Sequence, residues 1–357
     1  MAPEESGLES TRARWSTILS ALTGGADLDG ELTEWAMSEV MSGRAGEARL
    51  GGLLVGLRAK GETVAEVAGL VRAMRAHARQ VAVDRPVLDI VGTGGDLAST
   101  VNVSTMSAVV AAAAGAAVVK HGNRSSSSAC GSADLLEELG VVIDLPAETV
   151  APVLAEAGIA FCFAPVFHPA MRHASAVRKQ LGVPTVFNLL GPLTNPAAPS
   201  AAAVGVADAR VAPLVGGVFA ERGVSALVFR GDDGLDELTV SDTSRVWSTH
   251  AGGAVRVEVL DPRELGIPRA AAGALRGGDP AHNAAVTREF LAGARGPVRD
   301  AVLLSAAAGL AVAAPDDRPV AERLADGLAR AAAAVDDGRA AAVLDRWVTV
   351  TGKLAGG

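Results

Sequence analysis

Apolar positions recur at helical spacing through the first part of the chain. In "ELTEWAMSEVMSG", Leu32, Trp35, Ala36 and Val40 fall on one face, and Gly43 marks a stop. "EARLGGLLVGLRAKG" repeats the pattern with Leu50, Leu53, Leu54 and Leu57, and Gly61 follows Lys60. "ETVAEVAGLVRAMRAHA" does so again with Val64, Val67, Val71 and Met74. No strand-like run precedes residue 87. The pattern predicts a small all-helical domain over residues 1–83.

The period changes at Pro86. "VLDIV" is a short apolar run leading into glycines, as a buried parallel strand does. "STMSAVVAAAAG" reads as a helix and "AAVVK" as the next strand. The alternation continues with "LLEELG" as helix, "VVID" as strand, "APVLAEAG" as helix and "IAFCFA" as strand. "AAAVGVAD", "ALVFRG" and "RVEVL" are further strand candidates, and the chain is helical again from Ala281. Alternating strands and helices predict an α/β domain over residues 84–357, with a mostly parallel sheet flanked by helices.

Composition narrows the class. A chain of 357 residues exceeds one small core and fits about two domains. Apolar residues make up 49% and tyrosine is absent, so the core relies on aliphatic side chains. The net charge of −8 argues against a protein whose work is holding nucleic acid. Cys130 and Cys162 are the only cysteines, too few for a disulfide framework or a cysteine-based metal site. "MAPEESGLESTRARW" has no apolar core, so it does not read as a signal peptide. "AVVAAAAGAAVV" is too short to span a bilayer. The expectation is a cytoplasmic protein without a membrane partner.

Four stretches carry chemistry. "GTGGD" follows the first strand and "NVST" opens the next helix. Glycines let backbone N–H groups approach an anion, and a helix N-terminus favours negative charge. The stretch is neither a Walker motif nor GxGxxG, and alone it fits a structural turn equally. "KHGNRSSSSACGSAD" follows the adjacent strand with Lys120, Arg124 and four serines. Its position between strand and helix speaks against a solvated linker. "GDDGLDELTV" places Asp236 beside Glu237, and Mg²⁺ commonly bridges one or two carboxylates to substrate phosphates. Acidic pairs in loops are more often merely solvated, so this stretch gains meaning only beside the other two. "FAPVFHPAMRHASAVRKQLGVPTVFNLLGPLTNP" carries His168, Arg172, His173, Arg178 and Lys179, and an arginine suits a planar carboxylate.

Together, "GTGGD…TVNVST", "KHGNR…SS…GSAD", "HPAMRH…VR…LG…TVFNLLGPLTNP" and "GLDE" closely resemble the anthranilate phosphoribosyltransferase family, over nearly the whole chain. The resemblance implies the nucleoside phosphorylase/phosphoribosyltransferase type of fold, with the active site between a helical and an α/β domain. It implies a homodimer joined through the helical domain, with helices from about residue 168 to 190 packing there. The implied reaction joins 5-phosphoribosyl 1-diphosphate to the amine of anthranilate and releases diphosphate, the second step of tryptophan synthesis from chorismate. It would use Mg²⁺, two ions per subunit, and no dedicated catalytic side chain.

Carried over by position, the resemblance implies donor contacts at Gly92, Gly95, Asp96, Thr100, Asn102, Val103, Ser104 and Thr105. It continues them through Lys120, His121, Gly122, Asn123, Arg124, Ser125, Ser126, Ser127 and Ser128 to Ser132. Anthranilate contacts fall at Gly92, Asn123, His168 and Arg178, and metal ligands at Ser104, Asp236 and Glu237. Three positions depart from the family pattern. Pro184 stands where Arg is frequent, Ser305 where Asn is frequent, and "ASAVR" lacks a proline before its Val-Arg pair.

Overall fold

The computed structural model describes residues 3–125, 128–250, 253–314 and 316–356, with side chains from residue 9 onward. The chain divides into two compact units. One is built from Met1–Ala78 and His168–Thr194, the other from Arg79–Phe167 and Asn195–Gly357.

The first unit is helical. Its early helices are Pro3–Thr23, Gly30–Met41, Glu47–Lys60 and Val64–Ala76. Their ends follow from local chemistry. Asp29 caps the second helix by accepting from Leu32 N at 2.7 Å, and Thr63 and Glu66 form a reciprocal capping box on the fourth. Leu50, Leu53, Leu54 and Leu57 are all buried. In the second helix the buried face is rotated from the one the spacing predicts. Ala36 and Val40 are joined by Thr33 and Met37, while Leu32 and Trp35 sit half-buried at its rim. Trp35 packs there on Trp15, with ring centroids 5.5 Å apart. The later helix Arg172–Leu181 buries Ala174 and Val177 and packs on the second and third helices.

The second unit is built on a seven-stranded sheet. Its strands are β1 (Leu88–Gly92), β2 (Val118–Gly122), β3 (Ile159–Phe163), β4 (Ala201–Gly205), β5 (Ser225–Gly231), β6 (Ser244–Thr249) and β7 (Arg256–Leu260). Their order is β3-β2-β1-β4-β5-β6-β7. The first five in that order run parallel, and β6 and β7 add on antiparallel. β1 to β4 are buried almost throughout, as a sheet covered on both faces requires. Helices Val103–Ala113 and Pro297–Ala313 pack on each other and on β1.

Two strand expectations need correction. "VVID" forms no strand. Val141 N closes the preceding helix on Leu136 O at 2.9 Å, and Val142 N donates to Thr351 Oγ1 at 3.2 Å. With those groups committed elsewhere the segment cannot join a ladder, although Val141 and Ile143 are buried as strand residues would be. Conversely, "SRVWST" forms β6. Its polar residues hid it from a search for apolar runs. Among the described residues no helix is long and apolar enough to cross a membrane.

Candidate functional site

Strand order reverses around β1. The chain runs outward through β2 and β3 on one side, then returns to lay β4 and β5 on the other. Open α/β sheets bind ligands outside the carboxyl ends of strands at such a switch point. Here the strands end in Gly92 and Gly205, paired in register. Neither position has room for a side chain. A Cβ on Gly92 would lie 2.4 Å from Asp236 Oδ2, and one on Gly205 would lie 1.6 Å from Asp236 O. Thr93 N donates to Gly205 O at 2.9 Å, and Gly94 N donates to Asp236 Oδ2 at 2.6 Å. The glycine loop and the acidic loop therefore meet at the strand ends. Gly205 escaped the sequence reading, though "AAAVG" ends in the same Val-Gly as "LDIVG".

Both carboxyls of the acidic pair are buried. Burial, with the Asp96 carboxyl beside it, pushes Asp236 up to about 7. Burial and then Asp236 itself push Glu237 well above the usual carboxylate range. Glu237 Oε2 accepts from Ser305 Oγ at 3.2 Å. The nearby cation is Lys120, only 1% exposed, whose Nζ donates to Ile90 O at 2.6 Å and Ser104 Oγ at 3.2 Å. Burial lowers its pKa, against the attraction of Asp89, Glu237 and Asp236. Lys120 thus stands behind the loops, where it holds Ser104.

A further buried network lies behind Lys120. Asn195 Nδ2 donates to Asp89 Oδ2 and to Val119 O, each at 2.8 Å, and His121 N donates to Asp89 Oδ1 at 3.2 Å. Neither Asp89 nor Asn195 was singled out from sequence. An aspartate inside an apolar strand was the available signal.

These carboxylates fit a divalent cation. Asp96 Oδ2 is buried without a hydrogen-bond partner, close to an acidic pair that burial makes costly to ionise. Among the described residues no group of three or more His, Cys, Asp or Glu side chains is arranged to hold an ion alone. Mg²⁺ commonly takes only one or two carboxylates from a protein and completes its shell with phosphate oxygens and water.

The rest of the cradle is tied internally. Gly94 and Gly95 turn with positive φ into open space, and Asp96 Oδ1 accepts from Ala98 N at 3.0 Å. Thr100 bridges to Arg276. The Asn102 amide is used within the protein: Nδ2 donates to Cys130 O at 3.0 Å, and Oδ1 accepts from Asn283 Nδ2 at 2.9 Å. Val103, Ser104 and Thr105 form the first turn of Val103–Ala113, and Thr105 Oγ1 donates to Ser132 Oγ at 3.1 Å. Gly122 closes β2 against Phe161. Asn123 Oδ1 accepts from Arg124 N at 2.7 Å. The Arg124 guanidinium pairs with Asp134 and Glu137 over the Phe163 ring. Ser125 and Ser128 share a 2.7 Å hydrogen bond, while Ser126 and Ser127 lie outside the described residues.

His168 and Arg178 belong to the helical unit. His168 is buried, its Nε2 is 3.0 Å from Thr194 O, and burial lowers its pKa. Arg178 lies over the Phe187 ring at 5.0 Å, and burial lowers its pKa too. The two cysteines are buried thiols. Burial pushes Cys130 up to about 11 and Cys162 higher than usual. Neither is set up as a nucleophile.

Comparison with known proteins identifies this architecture. Residues 84–341 match the a/b domain of the glycosyl transferase family, and residues 16–78 match that family's helical bundle domain. An anthranilate phosphoribosyltransferase of Nocardioides sp. is 58% identical over 344 residues, covering 95% of this chain and 99% of the relative. That of Thermobifida fusca is 59% identical, covering 94% and 96%. The crystal structure of the Thermus thermophilus enzyme superposes with a TM-score of 0.87 at 43% identity, over 94% of this chain and 99% of that one. The Saccharomyces cerevisiae enzyme, in complex with PRPP and Mg, superposes at 0.86 with 26% identity, over 96% and 98%. The chain belongs to the anthranilate phosphoribosyltransferase family.

Proposed function

We propose that this protein transfers the phosphoribosyl group of 5-phosphoribosyl 1-diphosphate to the amine of anthranilate, releasing diphosphate in the second step of tryptophan synthesis from chorismate. The observation that carries the reading beyond family membership is the junction at the β1/β4 switch point. There Gly94 N of a glycine-rich loop donates to Asp236, one member of a buried acidic pair.

Within this reading the donor's phosphates lie along residues 92–105 and 120–132. The backbone N–H of Gly95 faces the diphosphate, while that of Gly94 is held by Asp236 Oδ2, and Ser104 and Thr105 present the diphosphate with a helix N-terminus. Asp236 and Glu237, with Ser104, would hold Mg²⁺, two ions per subunit. Bound there, Mg²⁺ would neutralise charge building on the departing diphosphate. Lys120 keeps Ser104 in place and supplies a fixed positive charge behind the pair. Arg178 is the counter-charge for the carboxylate of anthranilate, with Asn123, Gly92 and His168 as further acceptor contacts. The arylamine brings its own lone pair, so the chain needs no strong general base. Its contribution is alignment of the two substrates. We further propose a homodimer joined through the helical unit, working in the cytoplasm.

The test is a fluorescence assay of anthranilate consumption with phosphoribosyl diphosphate, with and without Mg²⁺. Loss of fluorescence only when donor and metal are both present is the expected result. No loss, from protein that still binds the donor by calorimetry, would overturn anthranilate as the acceptor.

A further inference from the structure

The helix Pro297–Ala313 reads "PVRDAVLLSAAAGLAVA", and from Ala301 to Val312 every residue is buried. Ser305 is the one hydroxyl in that run and is fully enclosed. Burying a hydroxyl in such surroundings costs about 1–3 kcal/mol unless it finds a partner. A serine inside a helix usually satisfies itself on the carbonyl one turn back. Ser305 instead donates across to Glu237 Oε2 at 3.2 Å.

The donor is rigidly placed. Gly309, one turn further on, lies directly on β1, where a Cβ would be 2.6 Å from Ile90 Cδ1. Ser107 on the neighbouring helix donates to Val302 O at 2.9 Å and fixes the same stretch from another side. Helix-to-sheet packing therefore decides where the Ser305 hydroxyl stands. The two members of the acidic pair are held by different elements. Asp236 is held by the loop after β1 through Gly94 N, and Glu237 by the helix through Ser305.

We infer that Ser305 is a positioning residue: its hydroxyl fixes the Glu237 carboxylate so that the acidic pair is preset for a divalent cation before the donor arrives. The inference rests on the cation-binding role proposed above for Asp236 and Glu237. Ser305 lies behind Glu237 on the sheet-packing helix, so its loss acts on cation binding and leaves acceptor binding alone. Without the hydroxyl, a buried Glu237 oxygen loses its donor and the side chain is no longer held in one orientation.

Three full-length variants test this. Ser305→Ala removes the donor, Ser305→Cys keeps the shape with a poor donor, and Ser305→Asn keeps an N–H donor. The first readout needs no turnover: Mn²⁺ binding in the presence of inorganic diphosphate, followed by electron paramagnetic resonance. The second is the Mg²⁺ concentration for half-maximal rate, set against KM for anthranilate.

Ser305→Ala and Ser305→Cys are expected to weaken Mn²⁺ binding about 10- to 100-fold, a range typical of lost support behind a metal ligand. The Mg²⁺ requirement should rise in parallel, KM for anthranilate should stay within about twofold, and Ser305→Asn should recover most of the loss. Unchanged Mn²⁺ binding in folded Ser305→Ala or Ser305→Cys would overturn the inference. So would an equal rise in every KM. If wild-type protein itself binds no Mn²⁺ with diphosphate, the role of the acidic pair falls, and this inference falls with it.

Discussion

Gly94 N donates to Asp236 Oδ2 across 2.6 Å and ties the loop after β1 to the loop after β5. These loops are far apart in sequence and meet only because β4 and β5 are laid beside β1 after the sheet has reversed direction. Converting Asp236→Ala together with Glu237→Ala removes both carboxylates from this junction. Mg²⁺-dependent turnover should fall by at least about 100-fold, the scale of losing preorganised electrostatic stabilisation. The fold should persist, because two buried carboxyls that resist ionisation leave with the substitution. Turnover against Mg²⁺ concentration, beside a thermal melt, checks both halves. Near-normal turnover would remove the pair from the chemistry.

Arg178 lies over Phe187 with its pKa lowered by burial, so its charge is kept at a cost. A charge-assisted contact to a carboxylate is worth about 1.5–3 kcal/mol. Arg178→Ala should therefore raise KM for anthranilate by roughly 10- to 100-fold and leave KM for the donor nearly unchanged. Arg178→Lys should recover part of the loss, since a point charge replaces a planar fork. Steady-state kinetics with each substrate varied separately decides the matter. Equal effects on both substrates would count against the contact.

Gly205 and Gly94 offer a contrast between crowding and backbone strain. At Gly205 a Cβ would sit 1.6 Å from Asp236 O, so Gly205→Ala must push the acidic loop off the strand ends. The loss should reach about 3 kcal/mol or more and abolish turnover. At Gly94 a Cβ meets open space, and only the φ of +66° opposes it. Gly94→Ala should cost about 1–2 kcal/mol. Denaturant unfolding of the two variants under one set of conditions measures the difference.

Asp89 sets a pH dependence. Burial pushes its carboxyl up to about 6, against Lys120, Asn195 and the His121 N–H. The folded state therefore holds this proton more tightly than the unfolded chain does. The resulting stability is fully present below about pH 4 and is lost as pH rises through 6, by roughly 2–3 kcal/mol. Asp89→Asn should lack that fall. The Tm of wild type minus that of Asp89→Asn should thus fall from pH 4 to pH 6. A constant difference across that window would show that Asp89 titrates near its ordinary value.

Much of this arrangement was legible in the chain, for specific reasons. β1 and β2 are short apolar runs between turn signals, and the helical unit repeats one spacing three times. "GTGGD" and "GLDE" were weak signals singly and stood out only together, as strand-end loops that suit a phosphate-bearing ligand and Mg²⁺. What escaped was long-range. Nothing near Gly205 announces that Asp236 will rest on it, and nothing in "VLLSAAAGL" says which acceptor Ser305 finds. β6 was missed because an antiparallel strand beyond the parallel core tolerates Ser, Arg and Thr. "VVID" misled because burial was visible while its backbone partners were not. Arg124 and Asn102 keep their places in the cradle motifs, but their polar groups already serve neighbours within the protein.

The helical unit is assembled from two stretches, Met1–Ala78 and His168–Thr194. Its first four helices leave the ribosome before the helix Arg172–Leu181 that packs on two of them. Strands β1 to β3 emerge in the interval. A nascent chain must therefore carry an unfinished bundle, with part of its apolar surface uncovered, while the sheet begins to form. Gene fragments ending after residue 78 would inherit that unfinished surface permanently. The unit is compact in space yet cannot be excised as a single length of chain.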